Sequence, residues 1–246
     1  MSAVLSIDLA SSSYRGVGIC ILRYNGNCIE AEVFRQHWKY AGSKPECSRL
    51  ADYVAELATT HRVRVIMIDG PQAWKDPANE SDHWRICEQQ VRTQGKTGLP
   101  GHTKPSTFVF FAAFSIALFD RLTEHGWERL KDASMLETSR YCAVETYPTA
   151  AWRALGMRPL PSKSKTDTHI VRLKLAELAS KVSIAVRGDV LVTHDELQAI
   201  VGGLAGIAAE GHPELDVRLF GVPPFKRQEQ WFEGYIALPS YRMALS

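Results

Sequence analysis

The 246-residue chain has few cysteines and almost no net charge. Five cysteines stand at positions 20, 28, 47, 87 and 142, and none forms a C-x-x-C pair, which argues against a zinc ribbon. An odd number without framework spacing fits reduced thiols and makes the cytoplasm the expected compartment. The net charge of +2 is too small to read nucleic-acid binding from charge alone. The longest apolar run, residues 107–119, falls short of the ~20 residues that cross a bilayer, so it reads as a buried helix and no membrane partner is expected. The N-terminus reaches Asp8 almost at once, so no signal peptide is expected. No G-x-G-x-x-G fingerprint opens a β-α-β unit, which excludes a dinucleotide-binding fold. Repeats and low-complexity linkers are also missing, so a single domain over 1–246 is expected.

What is present is a strong apolar pattern, 45% of the chain. Residues 3–8 (AVLSID) are a short strand ending in an acid. Residues 16–24 are β-rich, Asn25-Gly26 is a hairpin signal, and residues 29–34 return as a third strand. Residues 45–60 carry Leu50, Tyr53, Val54, Leu57 and Ala58 on one helical face. Residues 63–69 (VRVIMID) are apolar on both faces, as a central parallel strand is. An insertion follows at about 72–104, with a short helical stretch near 84–92, and the long helix covers 105–125. Residues 141–145 form another buried strand, followed by helices over 148–155 and 168–181. Thr193 and Glu196 make a capping box for a last helix that runs to about 209. Its Gly202, Gly203 and Gly206 let it lie close against a sheet. The order β-β-β-α-β, insertion, α-β-α-α predicts an α/β fold of the ribonuclease-H-like kind. In that topology three antiparallel strands join parallel ones in a mixed sheet, with helices on both faces.

Four acids stand at the ends of buried elements: Asp8, Asp69, Glu145 and Asp195. Neighbouring first and fourth strands would bring Asp8 and Asp69 together. Two-metal phosphodiester chemistry needs carboxylates converging on cations about 4 Å apart, and Mg2+ or Mn2+ prefers oxygen ligands. Each acid also has a plainer explanation: a strand-end turn for Asp8 and Asp69, or a helix dipole for Glu145 and Asp195. Glu196 is explained by the capping box. Arg85 and Glu88, one helical turn apart, read as a surface pair, or else Arg85 touches a substrate phosphate. Lys165, in the basic loop 161–165, is a second phosphate candidate, although a solvated lysine is the plainer reading. His194 is a base or ligand candidate beside Asp195. Trp38, Trp74, Trp84 and the 108–114 aromatics read as core.

Short motifs along the chain then carry a resemblance. They are SIDLA (6–10), IDGP (68–71), RICEQQVR (85–92), VETYP (144–148), HDELQA (194–199) and EGYI (233–236). In this order the chain resembles the family called domain of unknown function 429, described as predicted nucleases with a ribonuclease-H-like fold. The resemblance implies a site at Asp8, Asp69, Glu145 and Asp195, with Arg85, Glu88 and Tyr147 nearby. In that family an aspartate often stands directly before the alanine of the last helix, where this chain has Gln198. An amide is a poorer metal ligand than a carboxylate, so either Asp195 substitutes for it or hydrolysis is weak or absent.

The leading expectation is therefore a metal-dependent nuclease using Mg2+ or Mn2+ on nucleic acid. Asp8 would bridge two ions, Asp69 and Asp195 would complete their shells, and Glu145 would bind metal or orient water. Arg85 would hold phosphate. Two alternatives stay open. One is a small-molecule phosphotransferase or hydrolase of the actin-like ATPase type, with the polar turn 11–15 against a nucleotide phosphate. The other is a non-catalytic nucleic-acid-binding or scaffold module.

Overall fold

The structure is a computed structural model that describes residues 3–40, 42–138 and 141–242. Strands β1 (Ala3–Asp8), β2 (Gly18–Tyr24) and β3 (Ile29–Val33) form an antiparallel meander. The Asn25-Gly26 signal closes a four-residue link rather than a two-residue turn. The Asn25 side chain accepts the backbone N–H groups of Asn27 and Cys28, and Gly26 takes φ +97°. Helix α1 (Cys47–Thr60) then leads into β4 (Val63–Asp69), which pairs parallel to β1. The insertion contains α2 (Ile86–Val91) and a small hairpin of β5 (Lys96–Leu99) and β6 (His102–Lys104). Next come α3 (Val109–Glu124), β7 (Glu128–Arg129), α4 (Ser134–Glu137) and β8 (Cys142–Thr146). The chain continues through α5 (Pro148–Ala154), α6 (Thr168–Val182), β9 (Ile184–Val186) and α7 (His194–Ala209). It ends in a hairpin of β10 (Leu215–Arg227) and β11 (Gln230–Tyr241).

The large sheet runs β10-β11-β8-β4-β1-β2-β3-β9, with β7 also paired to β8. Three antiparallel strands joined to parallel β4 and β8, with helices on both faces, are the ribonuclease-H-like arrangement expected from the element order. Strands β7, β9, β10 and β11 are additions to that expectation. The first two are too short to show a period. Pro223 and Pro224 argue against a strand at β10. They are tolerated because β10 is the sheet edge and its register shifts between Val222 and Phe225, where they sit.

The two-residue period of the central strands sorts their side chains into two cores. Val4, Cys20, Leu22, Val65, Met67, Cys142 and Val144 pack toward α5, α6 and α7. Leu5, Ile7, Ile19, Ile21, Ile66, Ile68 and Ala143 pack toward α1 and α3. The stretch Ser106–Glu124 has the length and apolarity of a membrane span. Its Leu118, Phe119 and Leu122, however, are fully buried against α1 and the sheet.

Helix α7 lies close on the sheet because its glycines leave room. A Cβ on Gly203 would fall 2.9 Å from Ser6 Cβ, and one on Gly206 would fall 2.5 Å from Val4 Cγ1. The reciprocal gap is at Gly18 in β2, where a Cβ would meet the Asp195 carbonyl oxygen at 2.2 Å. That oxygen is backbone, so the start of α7 would have to move. Gly18→Ala should therefore cost about 1–3 kcal/mol, the usual price of overpacking, read as a lower denaturant midpoint. Gly42→Ala, with open space around it, should be near neutral.

Candidate active site

Strand register and pleat decide which acids meet. Asp8 pairs in register with Asp69 across the parallel β1–β4 ladder. Each follows the residues of its strand that face α7: Val4 and Ser6 in β1, Val65 and Met67 in β4. Both carboxyls thus project on the α7 side at the carboxyl end of the strands, partly exposed to solvent. Asp195, in the first turn of α7, comes down onto them through the gap at Gly18. Ligand atoms of Asp8, His194 and Asp195 all lie within 4.8 Å of one another. His194 is oriented by Asp195, with Nδ1 at 3.2 Å from Oδ1, and by the Pro161 carbonyl at 3.0 Å from Nε2.

The electrostatics are those of crowded like charges. Burial raises the Asp8 carboxyl well above the usual carboxylate range, and the charges of Asp69 and Asp195 add to it. Burial also pushes Asp69 up to about 7. The two carboxyls share a hydrogen bond, so the pair keeps a proton to higher pH than an isolated aspartate would. One cation already stands at the group: the Lys163 ammonium contacts Asp195 Oδ2.

Lys163 is the residue that sequence reasoning missed. Lys165, chosen from the same basic loop, is exposed and stands two residues away. Residues Lys163–Lys165 form one 3-10 turn, and nothing in the pattern K-S-K tells which lysine faces inward.

Glu145 is a correction. It pairs in register with Ile68, one residue before Asp69, and so lies on the opposite face of the sheet from Asp8. There Arg85 holds it with two hydrogen bonds, Nη1 to Oε2 at 2.8 Å and Nη2 to Oε1 at 2.5 Å, and the Gln72 N–H donates to Oε2 at 2.9 Å. Both oxygens are engaged. Arg85 is a second correction. It is 1% exposed and also bonds Glu88 Oε1, so it is not a surface residue, and its guanidinium, at the wall of the cavity beside Asp69, is engaged by carboxylates. Glu88, 3% exposed, accepts the Thr97 N–H and hydroxyl from β5. These residues form a buried ion network whose unpairing would cost about 3–5 kcal/mol.

The EGYI motif belongs to the same network. Glu233 takes φ +58° and accepts the Ile86 N–H at 2.8 Å, which satisfies an unpaired donor at the start of α2. Gln198 accepts the Trp152 indole N–H at 2.8 Å and ties α7 to α5. Glu196 completes the capping box and pairs with Arg35 at 2.6 Å.

Beyond Asp69 the strand ends open into a cavity of about 260 Å3, which Tyr147 helps to line. A larger groove, about 1440 Å3, lies at the other end of α7, away from the acids. Size does not mark the chemistry here.

The raised carboxyls make a sign-definite prediction. Asp69 binds its proton more tightly folded than unfolded, so its contribution to stability is full below its ordinary value of 3.8 and is lost as pH rises through about 7. Asp69→Asn should therefore melt above the wild type at pH 8 in metal-free buffer, by roughly 2–4 °C if ~1 kcal/mol is relieved. The gain should shrink toward pH 4. A variant that melts lower at pH 8 would show that the Asp69 charge is already compensated.

No curated protein matches the chain. Among solved structures, the Thermus thermophilus RuvC structure is similar over 85% of this chain and 96% of its own, at 12% identity and a TM-score of 0.42. The T. thermophilus RuvC in complex with Holliday junction substrate gives the same coverage and identity, with a TM-score of 0.39. The profile of the family described as "Protein of unknown function (DUF429)" matches residues 18–215, and the chain belongs to that family.

Proposed function

We propose that the chain is a metal-dependent nuclease that hydrolyses phosphodiester bonds at Asp8, Asp69 and Asp195, with Mg2+ or Mn2+ as cofactor and nucleic acid as substrate. One observation carries this reading. Three carboxylates from β1, β4 and α7 converge at the carboxyl ends of the central strands, partly open to solvent, with Lys163 the one basic side chain paired with them among the described residues. Buried like charges of this kind hold protons or take up a cation. The donors are oxygen-rich, as hard divalent ions require, with His194 as a nitrogen at the rim.

Divalent ions at such a site lower the pKa of water and neutralise charge developing on a phosphate. The chain's own residues have separable parts. Asp8, between Asp69 and Asp195, would hold the cation together with them. Asp69 and Asp195 hold the two sides, and His194 is positioned by Asp195 to bind or to accept a proton. Lys163 balances Asp195 without metal, and cation binding would turn its ammonium toward the substrate phosphate. Glu145 and Arg85 serve by holding the insertion against the site.

The Lys163–Asp195 contact also favours one rival, a non-catalytic module in which lysine is the permanent counter-ion. Metal titration separates the two. Mn2+ should raise the melting temperature of the wild type, approaching the ~2.7 kcal/mol expected at a hundredfold excess over Kd, and should leave Asp8→Asn unmoved. Asp8→Asn and Asp195→Asn should lose cleavage of single-stranded or duplex oligonucleotides. Lys163→Ala should bind Mn2+ more tightly, by up to about tenfold, yet cleave more slowly. Wild-type protein that neither takes up Mn2+ nor cuts any nucleic acid would leave the lysine-balanced module as the function.

A further inference from the structure

The cavity beside Asp69 lies where the chain changes sides. After β4 the chain first forms α2, whose Cys87 and Val91 join the core on the α7 side, and then crosses through the β5–β6 hairpin to α3, on the face with α1. After β8 it leads to α5, on the face with α7. Open α/β sheets form ligand crevices at such a point, outside the carboxyl ends of the strands. Here Asp69, Gly70 and Pro71 form one wall, and Thr146, Tyr147 and Thr149 form the other.

Its size and lining narrow the occupant. About 260 Å3 lies below the ~300–1,000 Å3 of pockets that hold drug-sized ligands, so one small ring system fits. Phe108 and Phe111 from the start of α3 line it with ring centroids 5.0 Å apart. Tyr147 brings a third ring, while Gln94 and Thr149 bring hydrogen-bonding side chains. Flat aromatic surface together with amide and hydroxyl groups suits a nucleobase, which has a π-face and a polar edge. A purely aliphatic ligand would leave those polar groups unpaired.

Charge at the cavity is mixed: Asp69, Glu88 and Glu145 line it, the two glutamates paired with Arg85, and two further arginines stand at the rim. Arg92 is exposed and directly precedes the loop residues Thr93, Gln94 and Gly95 that line the cavity. Arg153 is exposed on α5 and reaches back toward the carbonyl of Val91, with Nη2 at 3.4 Å. Cations there would face the phosphates on either side of a base held between them.

We propose that this crevice is a subsite for one unstacked nucleobase of the substrate, lined by Phe108, Phe111 and Tyr147 beside Asp69. A base seated there cannot be paired in a duplex, so the substrate class is single-stranded or locally unpaired nucleic acid. The inference rests on the nuclease reading for its substrate, but its test does not depend on cleavage.

The test is equilibrium binding of the full chain to a fluorescently labelled short single strand, with chelator present so that no metal-dependent cleavage occurs. The same strand as a duplex, and a strand of equal length without bases, complete the set. The intact single strand should bind roughly tenfold more tightly than either, the loss expected for one stacked base. Phe111→Ala and Tyr147→Ala should abolish that preference while leaving affinity for the baseless strand unchanged, which a merely unfolded variant would not do. Equal affinity for all three probes, or a preference that survives both substitutions, would overturn the subsite. Base-dependent binding without any metal-dependent cleavage would keep the subsite and remove the nuclease. Cleavage without base preference would do the reverse.

Discussion

Alternation of side chains across a pleated sheet is the constraint on which this molecule's chemistry depends. Adjacent residues of a strand point to opposite faces, so an acid's position counted from the strand end decides which partners it can reach. Asp8 and Asp69 occupy equivalent positions on two paired parallel strands and therefore meet. Glu145 is the last residue but one of neighbouring β8, one residue out of step, and reaches Arg85 on the other face. A one-residue difference separates a carboxylate of the acid group from a carboxylate of the scaffold.

The two charge systems that result are opposite in kind. On one face, Arg85, Glu88, Glu145 and Glu233 are closed by hydrogen bonds from the backbone and from one another, with every acid buried. Such a network orders the insertion and pins α2 against β8 and β11. On the α7 face, Asp8 and Asp69 keep access to solvent and have no guanidinium partner among the described residues. They are left with raised proton affinity. Closed charge stabilises a fold, whereas open charge is available to a ligand. The short distance between the systems, across the ends of β4 and β8, also shapes the crevice beside Asp69.

Much of this was legible in the residues. The strand-end aspartates, the capping box at Thr193 and Glu196, and the glycines of the last helix all stood out. Each rests on local rules, a two-residue period, a cap spacing or a missing Cβ, that need no knowledge of distant contacts. Arg85 and Glu88 illustrate the limit. Their spacing is that of an exposed helical pair, and only the arrival of β8 from sixty residues away buries them. Lys163 and Lys165 differ by two positions in one turn, and which faces Asp195 depends on where α7 docks. The β10 strand was hidden because prolines speak against strands, and only its place at the sheet edge removes the objection.

By itself, then, the order of residues determined the central strands and long helices, the mixed sheet and the meeting of Asp8 with Asp69, because pleat period and parallel pairing follow from local pattern. Tertiary structure alone decided the partner of Glu145, the burial of Arg85, the approach of Lys163 and the cavity at the strand ends. Those depend on how helices and the insertion pack, and packing brings together groups whose separation along the chain carries no periodic signal.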